Sequence, residues 1–209
     1  MPFDLWLTFA AASIALLLIP GPTVLLVLSY ALSKGRSVAV ASAAGVALGD
    51  LIAMTASLLG LGALVLASAT LFTALKWVGA AYLIYLGIKL VRSAPTSGLQ
   101  LPATDSITAS RVFGHTAAVT ALNPKSIAFF IAFVPQFIQP NTPLVPQFAI
   151  LITTFVTLAA LNAFAYALAA DRLRRVIAQP NIITWITRAG GGALIGMGIL
   201  TATLRRGTA

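Results

Sequence analysis

Between positions 5 and 32 the chain reads LWLTFAAASIALLLIPGPTVLLVLSYAL, with Pro20-Gly21-Pro22 set in the middle of an otherwise apolar run. About 20 apolar residues cross the ~30 Å hydrocarbon core of a bilayer as a helix, so these 28 residues are long enough to span one. The triplet predicts a break inside the span. Two prolines remove backbone donors and displace carbonyls, and the glycine between them offers no side chain to hold a helix. Polar backbone freed in this way must face protein or a water-filled cavity rather than lipid. A second apolar run, 114–138, carries Asn123-Pro124-Lys125 near its own middle. Paired interruptions in the two halves of a chain are the best sequence-level pointer to a transporter's binding site.

Composition leads to the same class. The 209 residues are 59% hydrophobic and 8% charged, with a mean hydropathy of +0.99. An integral membrane protein is expected. The net charge of +9 comes from 13 basic residues placed mostly between apolar runs, which fits the positive-inside rule and points away from nucleic acid. The absence of cysteine removes disulfides, thiolate metal sites and thiol redox chemistry. The first residues, Met1-Pro2-Phe3-Asp4, lack the basic region of a signal peptide, so the first run is read as a retained span.

Six spans are expected: 5–32, 38–66, 71–91, 114–138, 145–170 and 182–204. Residues 38–91 hold two of them, divided near Ala67-Ser68-Ala69-Thr70. The predicted fold is an all-α integral membrane protein of six transmembrane helices, two inverted three-helix repeats with helices 1 and 4 broken. Residues 1–92 form the first repeat, 93–113 a cytoplasmic linker and 114–209 the second repeat. An offset of 112 residues maps Lys76 and Gly79 onto Arg188 and Gly191, and Asp50 onto Asn162. Three spans per half turn the second half upside down, which places a site at the repeat interface near the midplane. The turns after spans 1, 3 and 5 hold Lys34, Arg36, Arg92, Arg111, Arg172, Arg174 and Arg175, with Lys89 and Arg188 close by. Both termini are accordingly predicted outside the cytoplasm, with Lys76, Arg205 and Arg206 on that side.

Asp50 is the one carboxylate inside a predicted span. Insertion costs ~2.5–3.5 kcal/mol for Asp at a helix centre, so a retained one calls for a function. Its neutral form costs less there than its charged one, which suits a carboxyl that takes up and releases a proton. The structural alternative is an ion pair with Lys125. That lysine can also meet a substrate carboxylate, or bond the carbonyls freed at a helix break. Asn123 and Asn162 offer donors and acceptors without charge, either to a polar substrate or between helices. Gly45-x-x-x-Gly49 and Gly192-x-x-x-Gly196 are read as close helix contacts within the chain, and Tyr82 with Tyr85 as one packed face. His115 stands alone, a poor basis for a metal site. No nucleophile elbow, zinc-protease or phosphate-loop motif is present, so neither an enzyme nor a bound cofactor is expected.

These residues together resemble the LysE family of amino-acid exporters, in the branch that includes homoserine, threonine and homoserine-lactone efflux proteins. The resemblance covers 3–204 and rests on Pro20-Gly21-Pro22, Gly45-Val46-Ala47-Leu48-Gly49-Asp50, the run Gly79-Ala80-Ala81-Tyr82-Leu83-Ile84-Tyr85-Leu86-Gly87 with Lys89, Leu122-Asn123-Pro124-Lys125 and the glycine-rich last span. It implies a plasma-membrane exporter of about six spans, driven by proton exchange and assembling as a homo-oligomer.

An amino acid presents an ammonium and a carboxylate. Asp50 is expected to accept the first and to carry the exchanged proton. Lys125, with backbone N–H groups at the half-helix starts near Pro22 and Pro124, is expected to take the second. A basic substrate would want a second buried carboxylate, so a neutral or small polar amino acid, or a derivative, is preferred. A metal or small-ion transporter and a membrane scaffold subunit are the rival classes.

Overall fold

The computed structural model describes residues 1–34, 38–67, 69–93, 108–139, 142–170, 172 and 179–203. Among them every regular element is a helix: α1 Phe3–Leu18, α2 Pro22–Lys34, α3 Ala39–Ala67, α4 Ala69–Arg92, α5 Ala109–Ala121, α6 Pro124–Ala132, a 3-10 turn Val134–Phe137, α7 Leu144–Leu168 and α8 Pro180–Thr203. Three single helices are long and apolar enough to cross a membrane: Ala39–Ala63 within α3, Thr73–Arg92 within α4, and α7. The bent pairs α1–α2 and α5–α6 bring that number to five.

Both breaks have a local cause. Ile19 precedes Pro20 and is extended (φ −71°, ψ 116°), because the proline ring disfavours the helical region for the residue before it. Asn123 is extended before Pro124 for the same reason (φ −68°, ψ 112°). Each new helix then starts on its proline, whose missing donor would have gone unpaired in a first turn anyway. The axis turns by 58° between α1 and α2 and by 46° between α5 and α6. The expected division near 67–70 falls between α3 and α4. Helix α5 begins at Ala109, inside the stretch read as linker, with Thr108 extended ahead of it.

A nest of rings, Phe9, Phe129, Phe130, Phe133, Phe137 and Phe155, joins α1, α6, the 3-10 turn and α7, with centroids 4.8–6.4 Å apart. Such pairs add ~0.5–1.5 kcal/mol each beyond the area they bury. The outside is apolar as well: Trp77, Val78, Val145, Leu161 and Trp185 are all more than half exposed. In water that would be a liability; in a bilayer it is the lipid-facing surface.

Glycines set the close helix contacts, though only one expected pair does so. A Cβ on Gly45 or Gly49 would run into the backbone of α5, and one on Gly87, Gly191 or Gly198 would collide across the α4–α8 seam. Gly192 and Gly196 meet nothing within 4 Å, so the expected Gly192-x-x-x-Gly196 contact within the chain is not made by the described residues. The neighbouring Gly191 and Gly198 carry it because they lie on the helix face turned to α4. Tyr82 and Tyr85 stack on each other at 6.0 Å on the outer face of α4.

Candidate functional site between the two broken helices

An α-helix ends with four carbonyls that lack intrahelical donors. At the end of α1 these groups face the second half of the chain, and side chains from that half supply the donors. The Lys125 ammonium donates to the Leu16 carbonyl at 3.0 Å and to the Ile19 carbonyl at 2.8 Å. Asn162 Nδ2 donates to the Leu17 carbonyl at 3.2 Å, and the Tyr166 hydroxyl to the Leu18 carbonyl at 3.2 Å. The negative end of the α1 dipole is therefore met by a full positive charge and two neutral donors. Asn162 and Tyr166 can act together because positions four apart share one face of α7.

The second break is tied to the first in turn. Asn123 caps α6: its Oδ1 accepts from the Lys125 backbone N–H at 3.0 Å. Its Nδ2 donates to Thr23 Oγ1 at 3.2 Å, and the Thr120 hydroxyl donates to the same oxygen at 3.3 Å. Thr23 is in the first turn of α2, so the starts of the two later half-helices lie side by side.

Between these groups lies a cavity of about 30 Å³, lined by Thr23, Asp50, Thr120, Asn123, Lys125 and Asn162 together with Ser126 and apolar residues such as Val24, Val27 and Val46. A space of that size holds a water and is too small for an amino acid. Asp50 reaches it from α3 and is 2% exposed, with its Oδ1 taking no hydrogen bond among the described residues. Two of the three ammonium donors of Lys125 are used on the α1 carbonyls. The structure thus brings together Asp50, Asn123, Lys125 and Asn162. Pro20, Gly21 and Pro22 line the far side of the break instead: a separate, more open cleft of about 220 Å³, with Leu25, Leu90, Ser93 and Thr187. Gly21 is the thin point between them, since a Cβ placed on it would lie 3.5 Å from the Lys125 Nζ.

Thr23, Thr120, Ser126 and Tyr166 belong to this constellation and were not singled out in the sequence. Threonine and serine within apolar helices ordinarily bond their own preceding turn, as Thr116 does to Val112, so composition alone does not flag them. The i, i+4 spacing of Tyr166 from Asn162 was a usable signal. His115 lies away from the cavity, and its Nδ1 is 2.5 Å from the Tyr30 hydroxyl, a bond that ties α5 to α2.

A 206-residue match at 34% identity, covering 98% of this chain and all of the other, relates it to an uncharacterized membrane protein of Vibrio cholerae serotype O1. The homoserine/homoserine lactone efflux protein of Salmonella typhimurium is 35% identical over 206 residues, which are 98% of this chain and 99% of that one. The leucine efflux protein of Salmonella choleraesuis is 32% identical over 136 residues, 65% of this chain and 64% of its own. No solved structure matches. These relatives are efflux proteins and membrane proteins rather than enzymes, and the description "LysE type translocator" fits residues 14–205. With that match over most of its length, the chain belongs to the LysE type translocator family.

Proposed function

We propose that the protein is a secondary exporter of small amino acids or their derivatives, neutral or polar, and that it exchanges them for protons at the cavity between the two breaks. The observation that carries this reading is the polar cluster itself. A carboxylate, an ammonium and two carboxamides line one small cavity among apolar helices, and one carboxylate oxygen has no hydrogen-bond partner among the described residues. Intramembrane charges are costly and mark substrate or ion pathways. The names of two relatives, homoserine/homoserine lactone efflux protein and leucine efflux protein, supply the substrate class.

The six-span, inverted-repeat arrangement belongs to this proposal. It is supported by the adjacency of the two breaks and by Asp50 and Asn162, positions related by the 112-residue offset, lining one cavity. So does the placement: multi-pass in the plasma membrane, both termini outside the cytoplasm, as a homo-oligomer. In the transport cycle Asp50 holds the substrate ammonium, and a proton arriving from outside takes the same oxygens and releases the substrate. The cavity is too small for an amino acid, so the half-helices must part to admit one.

Purified protein in liposomes tests this directly. Homoserine or leucine should accumulate against its own gradient when a proton gradient is imposed. Asp50→Asn should abolish that accumulation, and a variant that accumulates like the parent would refute the proton role of Asp50.

A further inference from the structure

Resting on the transport reading above, we infer that Lys125 occupies the substrate's ammonium position. The incoming amino group displaces the Lys125 side chain from the end of α1, and the freed lysine then binds the substrate carboxylate. Lys125 is in this way the residue that narrows the substrate class to free α-amino acids, over simple amines and over derivatives such as lactones and amides whose carboxyl group carries no charge.

The geometry carries the exchange. The Leu16 and Ile19 carbonyls hold an ammonium at 3.0 and 2.8 Å, and a substrate amino group offers the same three N–H donors on a tetrahedral nitrogen. The Leu17 and Leu18 carbonyls beside them are already satisfied by Asn162 and Tyr166, so the cage is specific to the place Lys125 fills. Asp50 lines the same cavity, and its buried Oδ1 has no hydrogen-bond partner among the described residues, so the carboxylate is available to complete the set of acceptors. Gly21 leaves the space beside the lysine free of any side chain, and the cleft of about 220 Å³ lies on the other side of that glycine.

Charge balance shows why the exchange selects zwitterions. Moving an unbalanced charge into a low-dielectric site is expensive, and a buried charge must keep a partner. An amino acid brings one positive and one negative group, so after the exchange its ammonium stands where Lys125 stood and its carboxylate neutralises the displaced lysine. An amine lacking the carboxylate would leave Lys125 buried and unpaired. Without Lys125, that same amine would restore the original balance, and the zwitterion would carry an unmatched negative charge.

The test is equilibrium binding to the purified protein, with homoserine and leucine each compared with its own carboxamide, which keeps shape and ammonium but removes the negative charge. The parent protein should bind the free acids at least about tenfold more tightly than the carboxamides, as expected for one charge-assisted contact. In Lys125→Met the order should invert, with the free acid weakened and the carboxamide strengthened; Lys125→Arg should keep the parent's order. Equal weakening of both ligands in Lys125→Met would overturn the exchange and leave the lysine a structural cap. If Lys125→Met does not fold, the parent decides: the Lys125 13Cε resonance, assigned by its absence in Lys125→Arg, should move on saturation with homoserine, and an unmoved signal overturns the proposal. Failure of the parent to bind any of the four probes would instead strike at the transport reading itself.

Discussion

Replacing Gly49 with alanine should push α3 and α5 apart beside the cavity. The added methyl would sit 2.5 Å from the Ala117 carbonyl oxygen, 2.6 Å from Thr120 Cβ and 2.9 Å from the Ala121 nitrogen. Ordinary contact begins near 3.4 Å, so the two helices must separate by close to 0.9 Å. Two of the three obstructing atoms are backbone, which leaves no rotamer to absorb the strain. Overpacking of this kind costs ~1–3 kcal/mol, and each kcal/mol lowers the midpoint of a chain this size by about 2–4 °C. The apparent Tm should therefore drop by roughly 2–12 °C. The shift also bears on function, because Thr120 donates to Thr23 across a bond already 3.3 Å long. Thermal unfolding in detergent, with homoserine transport in liposomes alongside, reads both effects. Gly196→Ala is the control: its methyl meets open space, and alanine raises helix propensity, so stability should hold or rise. A Gly49→Ala protein as stable and active as the parent would refute the packing argument.

Two further variants test contacts remote from the cavity. Gln147→Leu removes the side chain that accepts from Gln139 N–H at 2.8 Å and donates to Thr142 Oγ1 at 2.8 Å, Gln139 O at 3.0 Å and Pro143 O at 3.1 Å. Removing these partly buried bonds should cost about 1–2 kcal/mol with transport retained, read as a lower Tm and faster amide exchange at Gln139. Tyr30→Phe removes the hydroxyl that bonds His115 and should cost about 1 kcal/mol; unchanged thermal stability would contradict that bond.

The breaks and Asp50 were legible in the sequence because lipid makes them conspicuous. A proline pair or a carboxylate inside an apolar run has few structural excuses, and each marks a polar place in the fold. What fills the break was not legible. The sequence leaves Lys125 three roles, and only the three-dimensional path of α1 shows its ammonium on the Leu16 and Ile19 carbonyls, 109 and 106 positions away. The partner of Tyr166 is likewise a backbone atom with no sequence signature, so its i, i+4 spacing from Asn162 is the only trace of it in the sequence. The glycine pattern misled at Gly192 and Gly196 because spacing alone does not say which face of a helix meets a neighbour. Gly191 and Gly198, seven apart, are the pair that does so. Helix α5 starts five residues ahead of the apolar run that begins at 114, and its first turn, Ala109-Ser110-Arg111, is polar enough to pass for loop.

The most direct test of the site is a structure of the protein in a lipid bilayer with homoserine bound. Its ammonium should lie within hydrogen-bond reach of Asp50 and of the carbonyls that end α1, with the carboxylate facing Lys125. An amino acid bound elsewhere, with Asp50 turned to the acyl chains and the two breaks far apart, would contradict it.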